Sequence, residues 1–359
     1  MLKNDLTEKL NIRYPIIQAP MAGGITTTEL VTAVSLNGGL GMIGAGYMNP
    51  EQLRVQIEEV KEKTDTFGVN LFVPQAFHVE ESEVQEAKRL LQPIRDLLQV
   101  PDEGTTVPTN ESSRENFHDQ LQVIIDEKVP ICSFTFGIPE KEVIEKLKEN
   151  GMILIGTATT VDEALEIERQ GMDIVVVQGS EAGGHRGNFN DETENSLIGL
   201  MSLIPQVVDR VRLPVIAAGG IMDARGLLAS LCLGAQAVQM GTAFMLTEES
   251  GTHPSHQDAI LQAEESDTTL TRVFSGKYAR GIKNDFITLL EKDEAKLPPF
   301  PIQNTLTQSI RKIASSENNP AYMSLWCGQS PRLAKKQTVA ELFDRITSDA
   351  QNLIFEKFR

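Results

Sequence analysis

His185 stands where an imidazole can do chemistry. It follows two adjacent glycines, Gly183 and Gly184, in the stretch GSEAGGHRG at residues 179–187. An imidazole titrates near neutral pH and can serve as a base. Glycine amides can approach a phosphate closely because no side chain intervenes. Gly219-Gly220 and Gly241-Thr242 offer more such amides and one hydroxyl. Asn70 and Gln178 can each donate and accept hydrogen bonds, as an amide-patterned heterocycle such as an isoalloxazine requires. These residue types suggest a phosphorylated ligand beside an acid–base group.

The elements that must position them repeat one unit. The run Ile174 to Val177 is β-branched and fits a strand buried on both faces. It ends at Gln178, so the His185 loop lies just past the carboxyl end of a strand. Seven other short apolar runs read as strands: Ile16 to Met21, Leu40 to Ala45, Phe67 to Phe72, Ile131 to Phe136, Met152 to Gly156, Pro214 to Ala218 and Ala237 to Thr242. Helical patterns lie between them, one predicted from about Ser196 to Val211. Asn49-Pro50 reads as a cap followed by a first helical residue, and Thr26 to Thr28 can cap the helix that follows. Eight βα units predict a (β/α)8 TIM barrel over residues 1–245, with ligands at the carboxyl ends of the strands. Those ends supply one set: Ala19 to Met21, Asn70, Gln178, Gly183-Gly184-His185, Gly219-Gly220 and Gln239-Met240-Gly241-Thr242. Pro101 to Ser113 reads as a loop. Residues 246–335 read as a smaller helical cap, and 336–359 as a C-terminal helix (Val339 to Phe358) packing back on the barrel.

Composition narrows the function classes. A formal net charge of −17 over 359 residues argues against nucleic acid or anionic membrane as partner. Cys132, Cys232 and Cys327 are far apart and lack metal-ligand spacing, which predicts a reducing compartment and no metal site. Cys132 and Cys232 read as core residues. No apolar run is long enough to span a bilayer, and the N-terminus does not fit a signal peptide. The chain reads as soluble and cytoplasmic. A homodimer is compatible with it.

IIQAPMAGG, GLGMIGAGY, FGVNLF, GSEAGGHRG, PVIAAGGI and QMGTAF occur in this order, with weaker matches in FSGKYARGIKNDF and AYMSLWCGQS. In these motifs the chain resembles the nitronate monooxygenase family, also called 2-nitropropane dioxygenases. The resemblance implies an FMN-binding barrel under a smaller helical domain. It also implies oxidation of alkyl nitronates, with nitroalkanes as a second substrate form, by dioxygen to a carbonyl compound and nitrite. By matching motif, Asn70, Gln178, Gly183, Gly220 and Gln239 to Thr242 would contact FMN, and His185 would be catalytic. The alternative is the FMN-dependent enoyl-acyl-carrier-protein reductase, which has a similar glycine–histidine loop and draws hydride from NAD(P)H.

Other residues carry weaker signals. Lys277 and Arg280 lie in a glycine-bearing loop, read first as solvated, with contact to an anion as the other reading. Tyr322 and Trp326 read either as cap packing or as pocket lining. His253 and His256 read as surface histidines, and His78 and His118 carry no functional context.

Overall fold

A computed structural model of the chain describes residues 2–101, 104, 106–190 and 193–357. Eight parallel strands form the barrel: β1 Ile16–Gln18, β2 Gly41–Gly44, β3 Phe67–Phe72, β4 Ile131–Thr135, β5 Ile153–Ala158, β6 Ile174–Gln178, β8 Val215–Ala218 and β9 Ala237–Met240. The short β7, Gly184–His185, lies outside it. Around the sheet the order is β1-β9-β8-β6-β5-β4-β3-β2. A parallel bridge between Ile17 and Leu40 joins the ends. There Gln18 N donates to Leu40 O at 3.0 Å and Leu40 N to Ile16 O at 3.0 Å.

Side chains on each strand alternate between two faces. Cys132, Phe134, Val175, Val177, Val215, Ala217, Val238 and Met240 join the cluster shared with the surrounding helices. Ile17, Met42, Ile131, Ile155, Ile174, Val176, Ile216 and Ala237 fill the barrel interior with Leu6, Leu10 and Ile12 from the N-terminal segment. The barrel is therefore plugged at its amino end. The next inward positions, at the carboxyl end, are polar: Asn70, Ser133, Thr135, Thr157, Gln178 and Gln239 line an open cavity.

Local signals explain several helix starts. Thr27 accepts from Leu30 N, and Asn49 forms a capping box with Gln52 ahead of Pro50. The helix expected from about Ser196 is instead a short 3-10 turn, Thr193–Ser196, followed by a helix at Leu200–Val208. Gly199 offers that helix no side-chain cap; Leu200 N donates to the Glu181 carboxylate at 2.9 and 3.2 Å. Of the predicted loop at Pro101 to Ser113, residues 102, 103 and 105 lie outside the described residues. Its far end is already helical, since Thr109 caps a helix at Asn110–Asp126.

A second apolar core forms over the barrel. Val84, Ala87, Leu91 and Ile94, from the helix Glu81–Leu97, meet Phe274, Phe286, Leu306, Ile310 and Met323. The region expected to be helical also holds an antiparallel sheet of β10 Thr268–Thr271, β11 Ala279–Ile282 and β7. The C-terminal helix begins at Val339, and Phe358 lies outside the described residues. Its Val339, Leu342, Phe343, Ile346 and Ala350 are buried in the barrel's outer core.

Cys132 is buried as expected, but Cys232 is exposed. It is the last residue of the helix Ala224–Cys232, whose inward stripe runs through Ala224, Leu227 and Ser230.

Candidate active site

A cavity of about 850 Å³ opens at the carboxyl ends of the strands. That lies in the upper part of the range for cofactor- and drug-sized ligands, roughly 300–1,000 Å³. Its floor is the ring of polar inward residues. Its rim is made by Ala19 and Met21 after β1, Gly183 to His185 after β6, Gly219-Gly220 after β8 and Gly241-Thr242 after β9. Its roof is one stripe of the helix Ile302–Ser316, with Trp326 beside it.

Met240 departs from the sequence reading. It is 1 % exposed and packs in the outer core, because alternation turns it away when Gln239 points inward. Only its carbonyl faces the β1 end, accepting from Ala19 N at 2.8 Å.

His185 is held on both sides. Its backbone pairs with Ala279 in β11, and its carbonyl accepts from Gln178 Nε2 at 3.0 Å. Gln178 Oε1 accepts from Gly187 N at 2.8 Å. One barrel amide thus clamps the loop on both sides of the histidine. Arg186 is fully buried and donates to the carbonyls of Gly179, Gln178 and Ser196. Glu163, also buried, accepts from Thr159 N and from Phe189 N and Asn190 N.

The imidazole itself sits among rings. Centroids of Trp326, Phe136 and Phe300 lie 5.5, 5.8 and 6.1 Å away. Phe136 holds φ +72, a conformation rare for bulky residues. Nε2 lies 2.8 Å from Ser275 Oγ. Ser275 donates its one hydroxyl proton to Lys277 O at 3.0 Å. With that proton given to Lys277 O, the Ser275 oxygen is left to accept from Nε2–H, the assignment in which Nδ1 carries the lone pair. The ring surface left open faces the cavity rather than bulk solvent. Burial, aided by the positive charges of Lys277 and Arg311, lowers the histidine to about 3. It is a neutral imidazole at physiological pH.

The site fits a flavin phosphate and ring. Gly220 adopts φ +64, and the N–H groups of Gly220 and Gly241 have no protein acceptor among the described residues. A Cβ on Gly183 would sit 2.6 Å from backbone atoms of Cys327 and Gly328, so only glycine lets that chain close over the rim. On the floor, Asn70 Nδ2 donates to Ser133 Oγ at 2.9 Å and Thr135 Oγ1 at 3.1 Å. Its side-chain oxygen Oδ1 has no protein partner among the described residues, while its backbone carbonyl accepts from Ala45 N at 3.1 Å. The Thr242 hydroxyl already accepts from Gly328 N at 3.0 Å, so it serves the rim's closure as well as any ligand.

Several residues answer the weaker sequence signals. Lys277 donates to Asn188 O at 3.0 Å, and burial lowers it to about 8; Arg280 donates to Ser180 O at 3.0 Å. Neither lines the cavity. Trp326 does, whereas Tyr322 is packed in the second core. His253 and His256 line the cavity rather than the outer surface, and His256 Nε2 lies 3.0 Å from Trp326 O. Sequence reasoning missed Ser275, Tyr47 and Arg311. Ser275 lies in the quoted stretch FSGKYARGIKNDF, the one available signal for it.

The nitronate monooxygenase family model matches residues 3–349. A Staphylococcus haemolyticus protein described as "probable nitronate monooxygenase" is 52% identical over 355 residues, covering 98% of each chain. A Staphylococcus aureus protein of the same description is 47% identical over 354 residues, again with 98% of each chain covered. Among solved structures, a nitroalkane oxidase from Streptomyces ansochromogenes superposes with a TM-score of 0.90 at 35% identity, over 98% of this chain and 99% of that one. FabK from Thermotoga maritima gives 0.78 at 31% identity, over 99% and 98%. With the family model matched over residues 3–349 and relatives aligned over nearly the whole length, the chain belongs to the nitronate monooxygenase family.

Proposed function

We propose that this protein is an FMN-dependent monooxygenase that oxidises alkyl nitronates, and nitroalkanes after deprotonation, with dioxygen to a carbonyl compound and nitrite. The observation that carries the reading is an imidazole enclosed by aromatic rings and hydrogen-bonded through Nε2 to Ser275, beside a glycine rim with uncommitted amides. The amides of Gly183, Gly219, Gly220 and Gly241 would hold the phosphate. Asn70, Gln178 and Gln239 would meet the ring edge, with Ala19 and Met21 lining its other side. When bound, the flavin supplies the electron-accepting ring. His185 Nδ1 takes the α-proton of a neutral nitroalkane. Phe136, Phe300 and Trp326 surround that transfer; burial disfavours the imidazolium it forms, and the nitronate anion left beside it supplies the offsetting charge. Three cysteines without a disulfide support a reducing compartment such as the cytoplasm.

The test is a visible spectrum, then nitrite and oxygen assays with ethylnitronate and nitroethane. His185→Asn should keep the flavin and lose about 10²–10⁴-fold in rate on nitroethane. A colourless protein that refuses FMN, or near wild-type turnover of nitroethane by the variant, refutes the reading. The likeness to FabK motivates the reductase alternative. Anaerobic NADH that bleaches the flavin at once, without nitrite formation from nitronates, would favour it.

A further inference from the structure

The cavity's charge balance is unlike the rest of the chain. Among the described residues, no aspartate or glutamate lines it. Arg311 is its one lysine or arginine among the described residues. The helix Ile302–Ser316 explains how it gets there. Ile302, Leu306, Ile310 and Ala314 bury one face in the second core. Asn304, Gln308, Arg311 and Ser315 form the other stripe and roof the cavity.

Arg311 is held but not neutralised. Nε donates to Thr307 Oγ1 at 3.2 Å, and Nη2 to Asn304 O and Oδ1 at 2.8 and 2.9 Å. All three bonds are to its own helix. Among the described residues it has no carboxylate partner, and Nη1 has no recorded acceptor. Taking a guanidinium out of water without a counter-charge is costly unless an anion completes it. The groups it acts on electrostatically are His185 and Tyr47, on the loop after β2. That places its charge at the histidine end of the cavity. On the proposed reading the glycine amides would serve a phosphate at the rim.

We propose that Arg311 is a specificity-determining residue that binds the oxygens of the ionised substrate and so selects the nitronate anion over the neutral nitroalkane. This rests on the monooxygenase reading above. A planar guanidinium fork suits a planar group with two charge-sharing oxygens.

The test uses the flavin-loaded enzyme and nitrate as an unreactive, planar, trigonal anion. Nitrate should inhibit ethylnitronate oxidation competitively and perturb the fluorescence of Trp326, the chain's one tryptophan and a cavity residue. Arg311→Gln should raise KM for ethylnitronate and the nitrate dissociation constant about 10- to 100-fold, the value of a lost charged hydrogen bond. KM for nitroethane should stay nearly unchanged, and Arg311→Lys, which keeps the charge without the fork, should recover only part of the loss. Equal nitrate binding in wild type and Arg311→Gln, or equal KM changes for both substrates, overturns the assignment. If Arg311→Gln fails to fold, nitrate that does not compete in the wild type overturns it alone. Nitrate binding at Arg311 without nitronate turnover would instead leave the anion site standing and refute the monooxygenase reading.

Discussion

Replacing Ser275 by alanine should damage proton abstraction and little else. The hydroxyl has one proton, donated to Lys277 O at 3.0 Å. Its oxygen accepts from His185 Nε2 at 2.8 Å and from Lys277 N at 3.4 Å. Alanine leaves Nε2–H facing Phe136, Phe300 and Trp326 with no acceptor. An unsatisfied buried donor costs about 1–3 kcal/mol. The ring can escape that cost by turning or by moving its proton to Nδ1. Either response removes the lone pair from where a substrate proton would meet it. At about 1.4 kcal/mol per tenfold, kcat/KM for nitroethane should fall about 5- to 140-fold. Ethylnitronate has already lost its proton, so its kcat/KM should change far less. Ser275→Thr keeps the oxygen and should restore nitroethane turnover. Nitrite release from both substrates is measured at one pH, with flavin content and thermal midpoint as controls. An equal loss on both substrates would reduce Ser275 to a packing residue. No loss on either would refute the proton assignment on the ring.

Two further outcomes follow from the same geometry. Gly220→Val places a β-branched residue at φ +64 with its Cβ 3.1 Å from that of Glu181, at a strain of about 1–3 kcal/mol; the purified protein should carry less flavin per chain, and full occupancy would refute the rim's role. His256 is buried and lowered to about 4, so the unfolded chain binds its proton first as pH falls below about 6.5; this group costs on the order of 3 kcal/mol of stability by about pH 4. His256→Gln, which can still donate to Trp326 O, should flatten the stability profile between about pH 6.5 and 5, and an unchanged slope would refute the burial argument.

The barrel was legible because each strand announces itself locally. Ile174 to Val177 is four β-branched residues ended by Gln178, and no helix or loop tolerates that run as well. The rim glycines follow from it, since they are simply the next residues. Met240 shows where the local reading overreached. It stands between two cavity residues in sequence, yet the pleat sends it outward. Applying the period of two within the strand, rather than taking Gln239 to Thr242 as a block, separates it. The cap was less legible for a related reason. β7 is two residues long, and its partner β11 lies almost a hundred residues away, so no window of sequence contains the pairing.

The same division explains which site residues stayed hidden. Those that would hold the cofactor are backbone amides and strand-end side chains, fixed by the barrel's own geometry. Those that set the histidine's protonation come from elsewhere: Ser275 beside the cap sheet, Phe300 before the roof helix, Trp326 after it. An arginine on the polar stripe of an amphipathic helix looks like any solvated residue until another surface closes over that stripe. Arg311 differs from the surface arginines because the barrel mouth lies beneath it and, among the described residues, supplies no acid. The barrel thus determines what can be bound, and the cap determines which charge state can react. On the proposed reading, proteins with the same barrel can therefore diverge in substrate through the cap alone.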